Sequence, residues 1–349
     1  MMTMHYEVTT LYTKEQKDKM VTLLNQQGIR LDQNIDYSCA IFNDKDEMIA
    51  TGSYYRNTLR CIAIDDRYQG EGLMNQIITH LIHQLYYQEV FHLFVYTKND
   101  SAHFFEQLGF HTLVQTENGI TFLENKQKGF DHYLNSLIPF KKESGTKAAL
   151  VMNCNPFTLG HQYLVETVAA KFDWVYLFLL EEDASVFPYA VRKNLVEKGI
   201  AYLPNVMIVP TGHYIISQAT FPGYFQKDEQ SVIESQAMVD ASIFMKIAQH
   251  LGITDRFVGE EPYSQMTNIY NQMMRNVFQD SPLRLTVIER KQDESKQAIS
   301  ASKVRTAIKE DDWDFVKKSV ASTTFDYLTS PEAHTIIRNI KAIKDNQHH

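Results

Sequence analysis

Asn153-Cys154-Asn155-Pro156-Phe157-Thr158-Leu159-Gly160-His161 follows the apolar run Ala148–Met152 and precedes the helical pattern Gln162–Lys171. A strand that ends in a polar turn, with Gly and His at the mouth of a helix, brings backbone N–H groups and an imidazole to the positive end of the helix dipole, where phosphate oxygens can be held. The alternative is a plain helix start, with Thr158 as cap, Pro156 shaping the turn and His161 solvated. A short motif alone does not separate the two.

Outward from this turn the pattern is strand then helix, repeated. Ala148–Met152 leads to a helix over Gly160–Lys171, Trp174–Leu180 to one over Tyr189–Lys198, and Val206–Val209 to a long one over Ser231–Leu251. Phe257–Val258, Leu285–Ile288 and two C-terminal helices follow. Strands separated by helices predict an α/β, doubly wound parallel sheet, whose ligands bind beyond the carboxyl ends of the strands, where the turn lies.

The first third of the chain reads differently. Thr13 and Gln16 make a capping box ahead of a helix over 14–27, and Tyr37–Phe42, Met48–Tyr55 and Thr58–Ile64 read as antiparallel strands. The loop Asp65–Gly72, a helix to Tyr87, a strand Phe91–Thr97, a helix Asn99–Leu108 stopped by Gly109, and strands Phe110–Val114 and Ile120–Leu123 complete an α+β domain with a mixed sheet. A helix-like connector over Glu124–Phe140 and the polar run Lys141–Lys147 place the domains at 1–142 and 143–349.

Composition bounds the function. The length of 349 residues suits two domains, and 44% hydrophobic residues fill two cores. A net charge of −8 argues against nucleic acid as the main partner, since phosphate-backbone binders carry a basic excess. Cys39, Cys61 and Cys154 have neither disulfide-framework nor zinc spacing, which suits a reducing compartment. With no basic-then-apolar leader and no apolar run of about 20 residues, a cytoplasmic protein without a membrane partner is expected.

Ile299-Ser300-Ala301-Ser302-Lys303-Val304-Arg305 also opens a helix, with Ser302 as the candidate cap and Lys303 and Arg305 in the first turn. Cations there oppose the macrodipole by some tenths of a kcal/mol each, and a bound anion would reverse the sign. Two such helix starts suggest a triphosphate held between them. The first stretch resembles the T/H-x-G-H signature of the nucleotidylyltransferase superfamily, and Ile299–Arg305 resembles its second signature, I-S-x-S/T-x-x-R.

That resemblance implies ATP among Asn155, Phe157, Thr158, Gly160, His161, Ile299, Ser300, Ser302 and Arg305. His161 would bond the α-phosphate, Thr158 and Ser302 would donate hydroxyls, and Arg305 would hold the β/γ end. Gly259 and Glu260, after a strand, match where the superfamily contacts the nucleotide; an ordinary loop acid is the other reading of Glu260. Arg192 would approach phosphates from its helix, unless it is an exposed helix arginine. Mg²⁺ is implied as a bridge between phosphates, mostly through water, with no acidic pair to mark its protein ligand.

Arg67-Tyr68-Gln69-Gly70-Glu71-Gly72 resembles the Q/R-x-x-G-x-G/A pyrophosphate loop of the GNAT acetyltransferases, in which glycines let backbone N–H groups approach a diphosphate. Asn99, Ala102, Phe104 and Leu108-Gly109-Phe110 match that fold's later helix and turn, while Phe104 and Phe110 also read as core. The resemblance implies a coenzyme A-like group on Arg67, Gln69, Gly70, Gly72 and Asn99. Where that family carries a proton-donating tyrosine this chain has Phe105, so binding of the group is expected rather than ordinary acetyl transfer. Tyr68 and Tyr96 are alternative donors between which the sequence does not choose.

The fusion of these two domains resembles the citrate lyase ligases over essentially the whole chain, a likeness shared by Glu181–Tyr189, Tyr214–Pro222 and Phe257–Pro262. It implies ATP-dependent acetylation of a thiol, on the dephospho-coenzyme A-derived prosthetic group of the citrate lyase acyl carrier subunit. Acetate would be activated as acetyl-AMP, releasing pyrophosphate and then AMP. His213 is a candidate to help the thiol ionise, or else a surface histidine. Two other classes stay open: a cofactor-biosynthetic adenylyltransferase with a phosphate-monoester acceptor, and a non-catalytic nucleotide sensor, against which the retained Gly160, His161, Ser302 and Arg305 argue.

Overall fold

The computed structural model describes residues 6–182, 185–215, 220–224, 226, 228–260, 265–289 and 298–343. Of the segments singled out above, residues 183–184, 216–219 and 261–262 lie outside the described residues. Two compact units are present, Met1–Phe130 with Phe221–Val239, and Asp131–Thr220 with Asp240–His349. They are not the linear halves 1–142 and 143–349, because the segment Phe221–Val239 belongs with the first unit.

In the first unit β1 (Val8–Thr10) precedes α1 (Lys14–Gln26), whose capping box pairs Thr13 with Gln16. Then come β2 (Tyr37–Phe42), β3 (Met48–Tyr55), β4 (Thr58–Ile64), α2 (Leu73–Tyr87), β5 (Phe94–Lys98), α3 (Asn99–Glu106), β6 (His111–Gln115) and β7 (Ile120–Glu124). They form a seven-stranded sheet of order β1-β2-β3-β4-β5-β7-β6, antiparallel except for the parallel pair β4 and β5. Leu73, Ile77, Ile78, Leu81 and Leu85 recur at helical spacing on α2 and are buried. Gly52 on β3 lets this helix close in, since a Cβ there would lie 2.5 Å from Ile77 Cγ2. Phe110 joins this core, whereas Phe104, expected there, is exposed beside His103.

After α4 (Gly129–Ser136), the second unit runs β8 (Lys147–Met152), α5 (Leu159–Ala169), β9 (Trp174–Leu179), α6 (Tyr189–Gly199), β10 (Val206–Pro210) and α7 (Glu229–Leu251). Residues of α7 up to Val239 count with the first unit. β11 (Asp255–Gly259), α8 (Gln265–Phe278) and β12 (Arg284–Ile288) follow, then α9 (Ala301–Lys309), α10 (Trp313–Ser319), α11 (Ser322–Leu328) and α12 (His334–Ala342). The sheet order is β10-β9-β8-β11-β12 with every pair parallel. Its central strands are near-continuous apolar runs, as burial on both faces requires. Among the described residues four C-terminal helices stand where the sequence suggested two, because Asp312, Ala321 and Pro331 each start a new turn. No helix among the described residues is long and apolar enough to cross a membrane.

Candidate functional site

The sheet order reverses direction between β8 and β11, and a crevice opens beyond the carboxyl ends of strands at such a switch point. A cavity of about 330 Å³ lies there, lined by Thr158, Gly160, His161, Tyr163, Leu164 and Gly259, by Ile288 and Glu289 after β12, and by residues 298–303. The start of α5, the carboxyl ends of β11 and β12 and the start of α9 therefore meet at one place.

Thr158 caps α5, its hydroxyl accepting from the His161 N–H, and the imidazole closes the capping box in return. The Thr158 N–H donates to His161 Nδ1 at 3.1 Å, with Thr158 Oγ1 at 3.0 Å from the same nitrogen. A ring nitrogen that accepts a backbone N–H carries no proton, so the neutral ring is the Nε2–H tautomer, a donor at its far edge. Phe157 is fully buried and stacks on the imidazole with centroids 6.0 Å apart. A Cβ on Gly199 would lie 2.5 Å from its ring, so Phe157 supports the turn from within the core rather than lining the cavity.

Gly160 joins the two signature segments. A Cβ at this position would stand 2.8 Å from the Ile299 carbonyl oxygen, a backbone atom that cannot swing aside. Arg305 reinforces the junction, its Nη1 donating to the Asn155 carbonyl at 2.6 Å. Burial lowers its pKa. Arg305, expected at the β/γ end, is not among the residues that line the cavity. Asn155 is buried with its Oδ1 accepting from the Phe187 N–H at 3.1 Å, again a brace beneath the turn.

The cap of α9 is Ser300, not Ser302: extended backbone at φ −132, ψ 151 lets the Ser300 hydroxyl accept from the Lys303 N–H. Ser302 sits one residue inside the helix, its hydroxyl 3.0 Å from that of Ser300, and both line the cavity. Lys303 lines it too. The sequence marks Lys303 only as an opposed charge in a first helical turn, without a place of its own among the residues implied for ATP. Tyr163, Leu164 and Glu289 were missed, because they lie outside both signatures.

Arg192 is a correction. It is 0% exposed, with Nε on the Phe187 carbonyl, Nη1 on those of Asn153 and Leu180, and Nη2 on that of Glu182, at 2.7–3.0 Å. A buried guanidinium is stable only with its donors satisfied, and here backbone carbonyls do that. It therefore braces the loops around Cys154, a non-glycine residue at φ 53 whose thiol is pushed up to about 12 by burial. Glu260 donates its N–H to the Ile288 carbonyl at 2.7 Å and is not a lining residue; Gly259 and Glu289 are. His213 is exposed.

In the first unit, Asp66–Tyr68 forms a short 3-10 turn after β4, and Gly70 and Gly72 take φ of 85 and 78. Gly72 is the left-handed N-cap of α2 and offers no side-chain cap, so the loop leads into an uncapped helix start. Arg67 is held by Asp65 through Nε (3.1 Å) and Nη2 (2.8 Å), which lowers the Asp65 pKa, while its side chain stays 65% exposed. Gln69 donates to Asp66 Oδ1 at 2.8 Å. Asn99 has both amide atoms engaged, Nδ2 on the Thr116 carbonyl and Oδ1 accepting from Thr121, so it ties strands and turn together. Phe105 is buried edge-to-face on Phe110. Tyr96 lies in a stack with Phe122, and the Tyr68 hydroxyl accepts from Asn43.

Residues 147–328 match the family described as citrate lyase ligase C-terminal domain, and residues 8–126 match the acetyltransferase (GNAT) domain. The citrate (pro-3S)-lyase ligase of Escherichia coli is 35% identical over 338 residues, 94% of this chain and 96% of that protein. The enzyme of the same name from Haemophilus influenzae is 35% identical over 322 residues, 90% of this chain and 96% of that one. A crystal structure of Thermotoga maritima TmcAL bound with alpha-thio ATP aligns over 52% of this chain and 55% of its own, at 14% identity and a TM-score of 0.35.

Proposed function

The chain belongs to the citrate lyase ligase family of enzymes, and on that premise we propose that its second unit activates acetate with ATP and that the acetyl group passes to the thiol of the citrate lyase acyl carrier's prosthetic group. The observation that carries this reading is the direct contact of the two helix starts at Gly160 and Ile299, which brings His161, Ser300, Ser302 and Lys303 to one cavity.

Attack of an acetate oxygen on the α-phosphorus forms the acyl phosphate bond and breaks the bond to pyrophosphate, so negative charge grows on the equatorial oxygens and the leaving group. Such a step needs fixed donors more than a base. The Nε2–H of His161 supplies one at the α-phosphate, already oriented by Thr158. Lys303 and the hydroxyls of Ser300 and Ser302 suit the departing pyrophosphate at the positive end of α9. Glu289, with Gly259 and Leu164, suits the uncharged nucleoside side, where a carboxylate accepts from hydroxyls rather than repelling phosphate. Arg305, Asn155 and Arg192 hold the turn in shape.

In the second half-reaction the carrier thiolate attacks the acetyl carbonyl, the thioester forms, and AMP leaves. The glycine loop Arg67–Gly72 is the proposed seat of the coenzyme A-like group, with backbone N–H groups at its diphosphate. Among the described residues no group of three or more His, Cys, Asp or Glu side chains is arranged for a metal ion.

The test is incubation of the purified chain with ATP, acetate and the deacetylated carrier subunit, followed by intact mass. The carrier should gain one acetyl group, reversed by neutral hydroxylamine as a thioester is. Gain of an adenylyl group instead would favour the phosphate-monoester reading.

A further inference from the structure

β4 and β5 pair only at Thr58↔Phe94 and Leu59↔Val95. Beyond that point β4 carries an extra residue against β3, the register passing from Ser53↔Arg60 to Thr51↔Ala63. Inside this bulge Cys61 adopts φ 51, a left-handed conformation that a cysteine takes only where its surroundings impose it. A bulge of this kind leaves a backbone group outside the ladder.

The diverted Cys61 N–H is not idle. It donates to the phenol oxygen of Tyr224, whose own O–H donates to the Tyr96 carbonyl on β5 at 3.0 Å. Tyr224 is 8% exposed, and burial drives its pKa far up, so the phenol stays protonated. Its segment is pinned within the first unit: the Arg30 N–H donates to the Tyr224 carbonyl at 2.7 Å, and Phe221 meets Tyr96 edge-to-face at 5.2 Å. The ion pair of Arg60 with Asp32, at 3.2 Å, is buried beside it.

One hydroxyl thus meets a donor on β4 and an acceptor on β5. An amide of an extended chain would meet the same two demands, its C=O taking the Cys61 N–H and its N–H reaching the Tyr96 carbonyl. The loop Arg67–Gly72 stands at the carboxyl end of β4, and a coenzyme A-like group seated there trails an amide-bearing arm. We propose that Tyr224 is a displaceable plug: its phenol and the pantetheine-like arm compete for Cys61 and Tyr96, so the arm enters only as Tyr224 withdraws. This inference rests on the coenzyme A-like reading of the glycine loop.

Titration calorimetry of the full chain with coenzyme A and with dephospho-coenzyme A tests it, on wild type, Tyr224→Ala and Tyr224→Phe, with amide hydrogen exchange at Cys61 read in parallel. Removing an internal competitor should tighten binding about tenfold in Tyr224→Ala. Tyr224→Phe keeps the ring, guards against loss of the fold, and should tighten binding by less. In that variant the Cys61 amide should exchange fast when free and slowly once coenzyme A is added. Binding by wild type that is unchanged or weaker in both variants overturns the plug and leaves the glycine-loop reading intact. Absence of binding in all three proteins overturns both.

Discussion

Which nitrogen of His161 faces the cavity is decided by a neighbour three residues earlier. The Thr158 N–H occupies Nδ1, so Nε2 carries the proton, and one threonine supplies both the helix cap and the tautomer. His161→Ala should lower acetate-dependent ATP turnover by about a hundredfold, as loss of one transition-state donor does. It should cost only about 1 kcal/mol of stability through the lost capping partner. A turnover within threefold of wild type in steady-state assays would remove His161 from the chemistry. The helix start at Thr158 was legible in sequence because the cap and the residue that returns it, His161, lie within one short segment. Arg192 was not, since its carbonyl acceptors come from Asn153, Leu180, Glu182 and Phe187, and no local pattern announces that a helix arginine is turned inward.

At the scale of elements, the site depends on how closely two helix starts approach. Gly160→Ala places a Cβ 2.8 Å from the Ile299 carbonyl, and relief requires α5 and the segment before α9 to move apart. Overpacking of this kind costs about 1–3 kcal/mol, and a shift of the donors at the phosphates costs rate as well. The KM for ATP should rise and kcat fall together, while Gly160→Ser, which adds the same Cβ, should do no better. If steady-state kinetics of Gly160→Ala match wild type, the contact does not matter to the site. Most strands and helices were legible from their periodicity, β2, β3 and β4 to the residue. β1 escaped because three residues show no period, and α8 because its polar sequence (Asn268, Asn271, Gln272 and Asn276 among its residues) masks a narrow apolar stripe. The cap of α9 fell on Ser300 rather than Ser302 because two serines at that spacing are equivalent caps until the backbone dihedrals choose.

At the scale of the molecule, a GNAT domain precedes a ligase domain in one chain. That order was legible, because each domain carries its own glycine-bearing turn. The return of Phe221–Val239 to the first unit was not, since packing between segments more than a hundred residues apart leaves no periodic trace in either. In the proposed reaction the second unit makes acetyl-AMP before any carrier is present. Exchange of labelled pyrophosphate into ATP, measured on the purified chain with and without acetate and without carrier protein, tests it most directly. Exchange should depend on acetate and be lost in His161→Ala. Exchange that is equal without acetate, or that responds instead to a phosphate monoester, would contradict it.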